Sequence, residues 1–240
     1  TGQLVPPVVV PEVGCLIAPD LWDDDRWDEL TGAEVERVRN AGARTVLPYV
    51  LTHRALVEIH IGRLDTARSL VEEARALTDA AGVPPLPHAD RVLAAWRGRR
   101  NPEPQSGEPD GAGMVAATQG YATAVLCNGL GAYGDAVAAT RGVLDREALE
   151  LQGWSLAELV EGAVRSGDLA TATTALERLS ERAWLTGTDW ALGVEARARA
   201  LLQDGRGAEE LYVEAINRLG RSRIRTDLAR AQLVYGDCLL

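Results

Sequence analysis

Gly62-Arg63-Leu64-Asp65-Thr66-Ala67 recurs as Gly131-Ala132-Tyr133-Gly134-Asp135-Ala136 and again as Gly167-Asp168-Leu169-Ala170-Thr171-Ala172. In each copy a glycine is followed two residues on by Leu or Tyr and five residues on by Ala. The copies begin 69 and 36 residues apart. The larger interval is close to two periods of about 34 residues, and such a period marks stacked supersecondary units. Gly98 falls near the midpoint of the longer gap in a degenerate, Pro-interrupted copy, and Gly205 continues the series less faithfully. The signature has a local physical sense. Glycine supplies a permissive turn after a first helix, and the small Ala lets the backbone of a second helix approach its partner closely.

The residues around these turns follow helical spacing. Between Asp65 and Ala81 the apolar set is Ala67, Leu70, Val71, Ala74 and Leu77, one face of a buried helix. The same stripe returns in Leu169, Ala172, Leu176 and Leu179, and in Ala208, Leu211, Ala215 and Leu219. Period-two alternation is nearly absent. The pattern predicts helix pairs Leu47 to Ile61 with Asp65 to Ala81, Val115 to Leu130 with Asp135 to Leu144, Ser155 to Ser166 with Leu169 to Leu185, and Asp189 to Leu202 with Ala208 to Leu219. It adds a shorter helix, Leu86 to Gly98, and a last helix, Asp227 to Leu240. The period and the helix pair resemble the tetratricopeptide repeat, although its signature Trp and Pro positions are not kept. The expected fold is all-α, a right-handed superhelical array of antiparallel helix pairs, that is, a tetratricopeptide-like α-solenoid.

Residues 1–20 read as an extended leading segment, with Pro6, Pro7 and Pro11 around Val8-Val9-Val10. The repeat domain then covers 21–240, with a mobile loop near 101–113 that is rich in Pro, Gly and acids. An array ending on an unpaired helix leaves an apolar face uncovered, which suggests a piece of a longer protein. Gly111 to Gly134 carries no charge, yet its glycines, Gln119, Asn128 and threonines make it a buried small-residue helix and turn rather than a membrane span.

All 25 basic residues of this 240-residue chain are Arg, and none is Lys. A Walker A loop, Schiff-base chemistry and Ser-x-x-Lys nucleophiles are therefore impossible within it, because each needs an ammonium. The formal net charge of −10 disfavours direct contact with nucleic acid. Cys15, Cys127 and Cys238 are odd in number and far apart, which fits neither a disulfide framework nor zinc spacing, and a reducing cytoplasm is the simplest setting. Thr1 to Val13 lacks the basic and long apolar regions of a signal peptide.

Several stretches imitate catalytic motifs. Gly129-Leu130-Gly131-Ala132-Tyr133-Gly134 matches Gly-x-Gly-x-x-Gly after the apolar run Ala124 to Cys127, but a dinucleotide fold needs a second β-branched run about 20 residues on, Leu144 to Gln152 reads as helix or turn, and the repeat turn already explains two of the glycines. Gly153-Trp154-Ser155-Leu156-Ala157 approximates a nucleophile elbow. All three histidines, His53, His60 and His88, lie upstream of it, contrary to the hydrolase order. Ser155 reads instead as a helix N-cap with Glu158 completing a capping box. His53 and His60 share a helix face two turns apart, a spacing for packing or a polar groove rather than a metal. The acids of Trp22-Asp23-Asp24-Asp25-Arg26-Trp27 open a helix against its dipole. Arg218, Arg221, Arg223 and Arg225 form the basic concentration and suit an interdomain contact. The six Trp are read as inter-helix packing.

Longer stretches resemble a family. Gly153-Trp154-Ser155-Leu156-Ala157-Glu158-Leu159-Val160, the run from Gly187 to Leu202, the run from Leu211 to Arg221 and Leu228 to Gly236 are similar to the helical region of actinobacterial LuxR-type regulators, the large ATP-binding kind akin to the maltose-regulon activator. The resemblance is strongest over residues 150–240 and continues back to Leu21. It implies the central, tetratricopeptide-like part of a transcription regulator, between an NTPase and a helix-turn-helix. Such a part is a non-catalytic sensor or protein-interaction module that receives a small-molecule effector or a protein partner and mediates oligomerisation, with no cofactor, metal, nucleic acid or membrane of its own. The concave face of such an array is lined by the first helix of each pair. Tyr49, His53, His60, Trp154, Glu158, Trp190 and Glu195 are the groove candidates. The alternatives are a free-standing helical-repeat scaffold that binds a peptide or protein and, in a different class, a dinucleotide-dependent enzyme.

Overall fold

The computed structural model describes residues 13–100, 114–144 and 151–240. The mobile loop expected at 101–113 and most of the leading segment lie outside them. Within that segment, Gly14–Ile17 wind into a single helical turn, α1. The described residues then form α2 (Asp24–Asn40), α3 (Leu47–His60), α4 (Leu64–Ala81), α5 (His88–Trp96), α6 (Met114–Gly129) and α7 (Tyr133–Leu144). They continue as α8 (Gln152–Ser166), α9 (Leu169–Thr186), α10 (Asp189–Leu201), α11 (Gly205–Arg221) and α12 (Arg225–Cys238). No strand occurs among the described residues, and none of their helices is long and apolar enough to cross a membrane.

The repeated signature performs the turn it suggested. Gly62, Gly131 and Gly167 take φ of 84°, 75° and 84°, the left-handed region that glycine enters without a steric penalty. Ala67, Ala136 and Ala172, five residues on, are fully buried where one helix crosses the next. The aspartates of the turn region add caps. Asp168 accepts a hydrogen bond from the backbone N–H of Thr171 at 3.1 Å, and Asp23 does the same for Arg26 at 3.0 Å at the head of α2.

Successive helices pack in adjacent pairs. An inner series, α3, α5, α6, α8, α10 and α12, passes from one neighbour to the next, and α2, α4, α7, α9 and α11 lie outside it. The last helix is not left alone. α12 packs on α11, touches α10, and its N-terminal end meets the C-terminal end of α3. There Thr226 Oγ1 donates to the His60 carbonyl at 3.1 Å, and the Arg225 side chain lies against Gly62. Just before α12, the Arg223 N–H donates to Asp24 at 2.6 Å and its guanidinium pairs with Asp25 and Asp28. The first and last parts of the described chain are thereby tied together.

One local expectation changes. Ser155 is not the N-cap of α8 but its fourth residue, and its N–H donates to the Leu151 carbonyl at 2.9 Å. Gln152, Gly153 and Trp154 are all buried, so tertiary packing extends the helix N-terminally past the local capping signal.

Candidate functional site

The inner helices converge on aromatic side chains. Trp27 of α2 stacks over Trp190 of α10 with centroids 6.0 Å apart, and Trp22 meets the same ring edge-on at 4.9 Å. Trp154 of α8 lies 5.5 Å from Trp27 and 5.8 Å from Trp190. His60, at the end of α3, sits 4.4 Å from Trp154, and Tyr121 of α6 completes the group. Gly153 is required here, since a β-carbon on it would come within 2.8 Å of the Trp22 ring. Where an open array would present a concave groove, the leading part of the chain has inserted two indoles.

His60, Tyr121 and Trp190 have defined polar partners inside this centre. His60 Nδ1 lies 2.8 Å from the Leu56 carbonyl, which can only accept, so Nδ1 carries the proton and Nε2 faces the Tyr121 hydroxyl at 3.4 Å. Burial pushes the His60 pKa below the ordinary imidazole value, keeping the ring neutral, and raises that of Tyr121 well above its own. Asp227, in the first turn of α12, accepts from Trp190 Nε1 at 2.8 Å and pairs with the fully buried Arg197 at 3.3 Å.

One helical turn further along α6, α8 and α12 the packing opens into a cavity of about 230 Å³. Its walls are Ala95, Trp96 and Gly98 from the end of α5, Val125, Leu126, Gly129 and Leu130 from α6, and Leu233 from α12. Two charged residues reach it, Glu158 and Arg230. Leu130 and Leu233 are more than half exposed and stand at its rim.

The charges around the cavity are unequal. Five glutamates are buried among the described residues: Glu34, Glu58, Glu158, Glu161 and Glu195. Glu34 pairs with Arg37 at 2.6 Å, Glu58 with Arg54 at 2.5 Å, Glu195 with Arg199 at 3.8 Å, and Glu161 holds Arg230 in a two-pronged pair. Glu158 alone makes no ion pair. Asn128 Nδ2 donates to its Oε2 at 2.8 Å and to its carbonyl at 2.9 Å. Burial pushes the Glu158 carboxyl above the ordinary carboxylate value, and the neighbouring Glu161 charge adds to this. Arg197, Arg230 and the Asn128 bond pull the other way.

The seven groove candidates divide into three places. His60, Trp154, Glu158 and Trp190 are brought together at the aromatic centre and its adjoining cavity. The Tyr49 and His53 rings meet at a tilt of 52° with centroids 4.4 Å apart at the far end of α3, against Cys15, Thr31 and Glu34 of α1 and α2. Burial lowers the His53 pKa to about 4, helped by the charge of His88. Glu195 faces α9, where Ser180 donates to it at 2.9 Å. Of the basic candidates, Arg218 and Arg221 reach Asp189 of α10, Arg223 reaches the acids of α2, and Arg225 packs against Gly62. Sequence reading passed over Trp22, Trp27, Asn128, Glu161, Asp227 and Arg230 as site residues. The partners of each lie tens of residues away, and only the inward facing of the Trp154-to-Glu158 turn offered a signal.

The Gly129 to Gly134 run joins helix to helix, α6 to α7, and so lacks the strand that a dinucleotide fingerprint follows. No group of three or more metal-ligating side chains occurs among the described residues. Compared with protein-family models, with curated proteins and with solved structures, the chain matches none.

Proposed function

We propose that this chain is a non-catalytic, cytoplasmic sensor and protein-interaction module of a LuxR-type transcription regulator, receiving an effector or partner and coupling it to oligomerisation. Its helix pairs are then tetratricopeptide-like units whose right-handed superhelix is wound tightly enough for α12 to meet α3. The observation that carries this reading is the cavity at Glu158 and Arg230. It is walled by α5, α6, α8 and α12 at once, so any occupant bears on four helices from distant parts of the chain. The sequence resemblance supplies the regulatory setting, and the acidic, lysine-free composition supports a role without direct nucleic-acid contact.

The test combines thermal unfolding against a metabolite library with light scattering on the same samples. A class of compounds that raises the unfolding midpoint and shifts the oligomeric mass is the expected result. ATP hydrolysis by the chain, or nanomolar binding to one DNA duplex, overturns the proposal.

A peptide-binding scaffold is the second reading, and one observation favours it. Trp184 and Leu185, at the end of α9, are 69% and 87% exposed, an apolar pair of the kind that partner surfaces use. Capture of a defined peptide that is lost in Trp184→Ala, with no response to small molecules, would select it.

A further inference from the structure

Four of the five buried glutamates among the described residues have an arginine partner, and the exception, Glu158, lines the cavity. Glu158 is 4% exposed, and among the described residues its carboxylate accepts a hydrogen bond from the neutral Asn128 amide. The nearest cation on the cavity wall, Arg230, is already held by both oxygens of Glu161. The second buried arginine of the region, Arg197, is held by Asp227. Only Glu158 and Arg230 of these groups line the cavity, and the three acids Glu158, Glu161 and Asp227 share the two cations Arg197 and Arg230, which leaves Glu158 without an ion-pair partner. Such a carboxylate is costly unless a cation or a proton neutralises it.

The rest of the cavity suits an organic cation better than a metal ion. Its wall is mostly apolar, from Val125, Leu126, Leu130 and Leu233, and Trp96 adds an aromatic side chain, a residue type that attracts cations. A divalent ion needs several oxygen ligands, and Glu158 is the single carboxylate on this wall. A volume of about 230 Å³ is enough for a small aromatic or aliphatic group.

We propose that the cavity between α5, α6, α8 and α12 binds a small organic ammonium compound, its cationic head on Glu158 and its apolar part against Val125, Leu126 and Trp96. The proposal rests on the sensor reading and names the chemical class of its effector. The upward shift of the Glu158 carboxyl fits this account, because a buried acid without a counter-ion holds its proton until a cation replaces it.

The experiment is isothermal titration of the full chain with phenethylamine, alongside 2-phenylethanol and phenylacetate as neutral and anionic matches of the same shape. Phenethylamine should bind at least tenfold more tightly than either match. Glu158→Gln keeps the shape and an acceptor for Asn128, and it should weaken phenethylamine binding at least tenfold while leaving 2-phenylethanol unaffected. Equal binding of all three compounds, preference for phenylacetate, absence of phenethylamine binding at millimolar concentration, or unchanged affinity in the folded Glu158→Gln variant each overturns the proposal. Should that variant not fold, the three-compound comparison on the unaltered chain decides alone. Light scattering in the same titrations separates this proposal from the reading beneath it. Amine binding without a change in mass leaves the cavity assignment standing and removes the coupling to oligomerisation. Library compounds of another class that shift the mass, with no amine binding, do the reverse.

Discussion

α8 and α9 are consecutive helices of similar length, 15 and 18 residues, joined by the turn at Gly167, yet they bury opposite amounts of themselves. Every residue from Gln152 to Ala163 in α8 is buried, whereas α9 buries only Ala172, Ala175, Leu179 and Ala183. The outer helix behaves as a surface amphipath should, with one apolar stripe and a polar remainder. The inner helix has no solvent face along most of its length, so its glutamates must find partners inside. That asymmetry locates both the stability and the candidate chemistry in the inner layer.

The sharpest way to break the comparison uses two tryptophans. Trp154 on α8 is 6% exposed among Trp27, His60, Tyr121 and Trp190, while Trp184 on α9 is 69% exposed. Trp154→Ala should cost about 3–5 kcal/mol in urea unfolding, the range for deleting a core aromatic, and Trp184→Ala less than about 0.5 kcal/mol. Similar losses from both would mean that the inner layer is not the core.

Ion pairs should divide the same way. Asp227 neutralises Arg197, whose side chain is 1% exposed, and also accepts from Trp190. Asp227→Asn leaves that arginine charged and buried, with an expected loss of about 3 kcal/mol. Arg206 and Glu210 on α11 form a pair exposed at 89% and 67%, and Arg206→Gln should leave the unfolding midpoint in place.

Glycines inside helices give a smaller effect and a change of sign. Gly153 on α8 lies under the Trp22 ring, so Gly153→Ala forces that ring to move and should destabilise by about 1–3 kcal/mol. Gly220 on α11 has open space where a β-carbon would stand, and Gly220→Ala should stabilise by up to about 1 kcal/mol. Unfolding midpoints of the two variants that move in the same direction would contradict the layering.

The outer layer was legible in the sequence because its information is local. The stripe Leu169, Ala172, Leu176 and Leu179 marks α9, and the expected start at Leu169 is the observed one. The glycine signature placed the turns for the same reason, since a left-handed residue is a property of one position. The inner layer was legible as helix but not as interior. Glu161 and Arg230 are 69 residues apart in the chain, and Arg223 is 198 from Asp25. No periodicity encodes such distances. The Ser155-Glu158 spacing shows the cost of local reading: it satisfies a capping rule, yet Ser155 lies within α8 and Glu158 faces the cavity.

Acid should reveal the inner layer through its histidines. His53 and His60 lie on α3 and His88 on α5, both inner helices, and burial lowers the pKa of all three, that of His53 to about 4. For a group whose folded pKa lies below its unfolded value near 6.5, the unfolded chain takes up the proton first. Stability is therefore full above about pH 6.5 and declines as the pH falls toward the folded pKa, by up to about 1.4 kcal/mol per pH unit for each histidine. Glu158 works in the opposite sense. Its folded pKa is raised, so its contribution is present below about pH 4.5 and is lost as the pH rises through the folded value. Urea midpoints should consequently fall between pH 6.5 and 5, and His53→Asn should flatten that fall by about one histidine's share. Glu158→Gln removes that opposing contribution, so it should raise stability near neutral pH, where the buried carboxylate is hardest to accommodate, and steepen the fall toward pH 5. A fall in midpoint that His53→Asn does not change would place that imidazole in water rather than against Tyr49 and the α1–α2 wall.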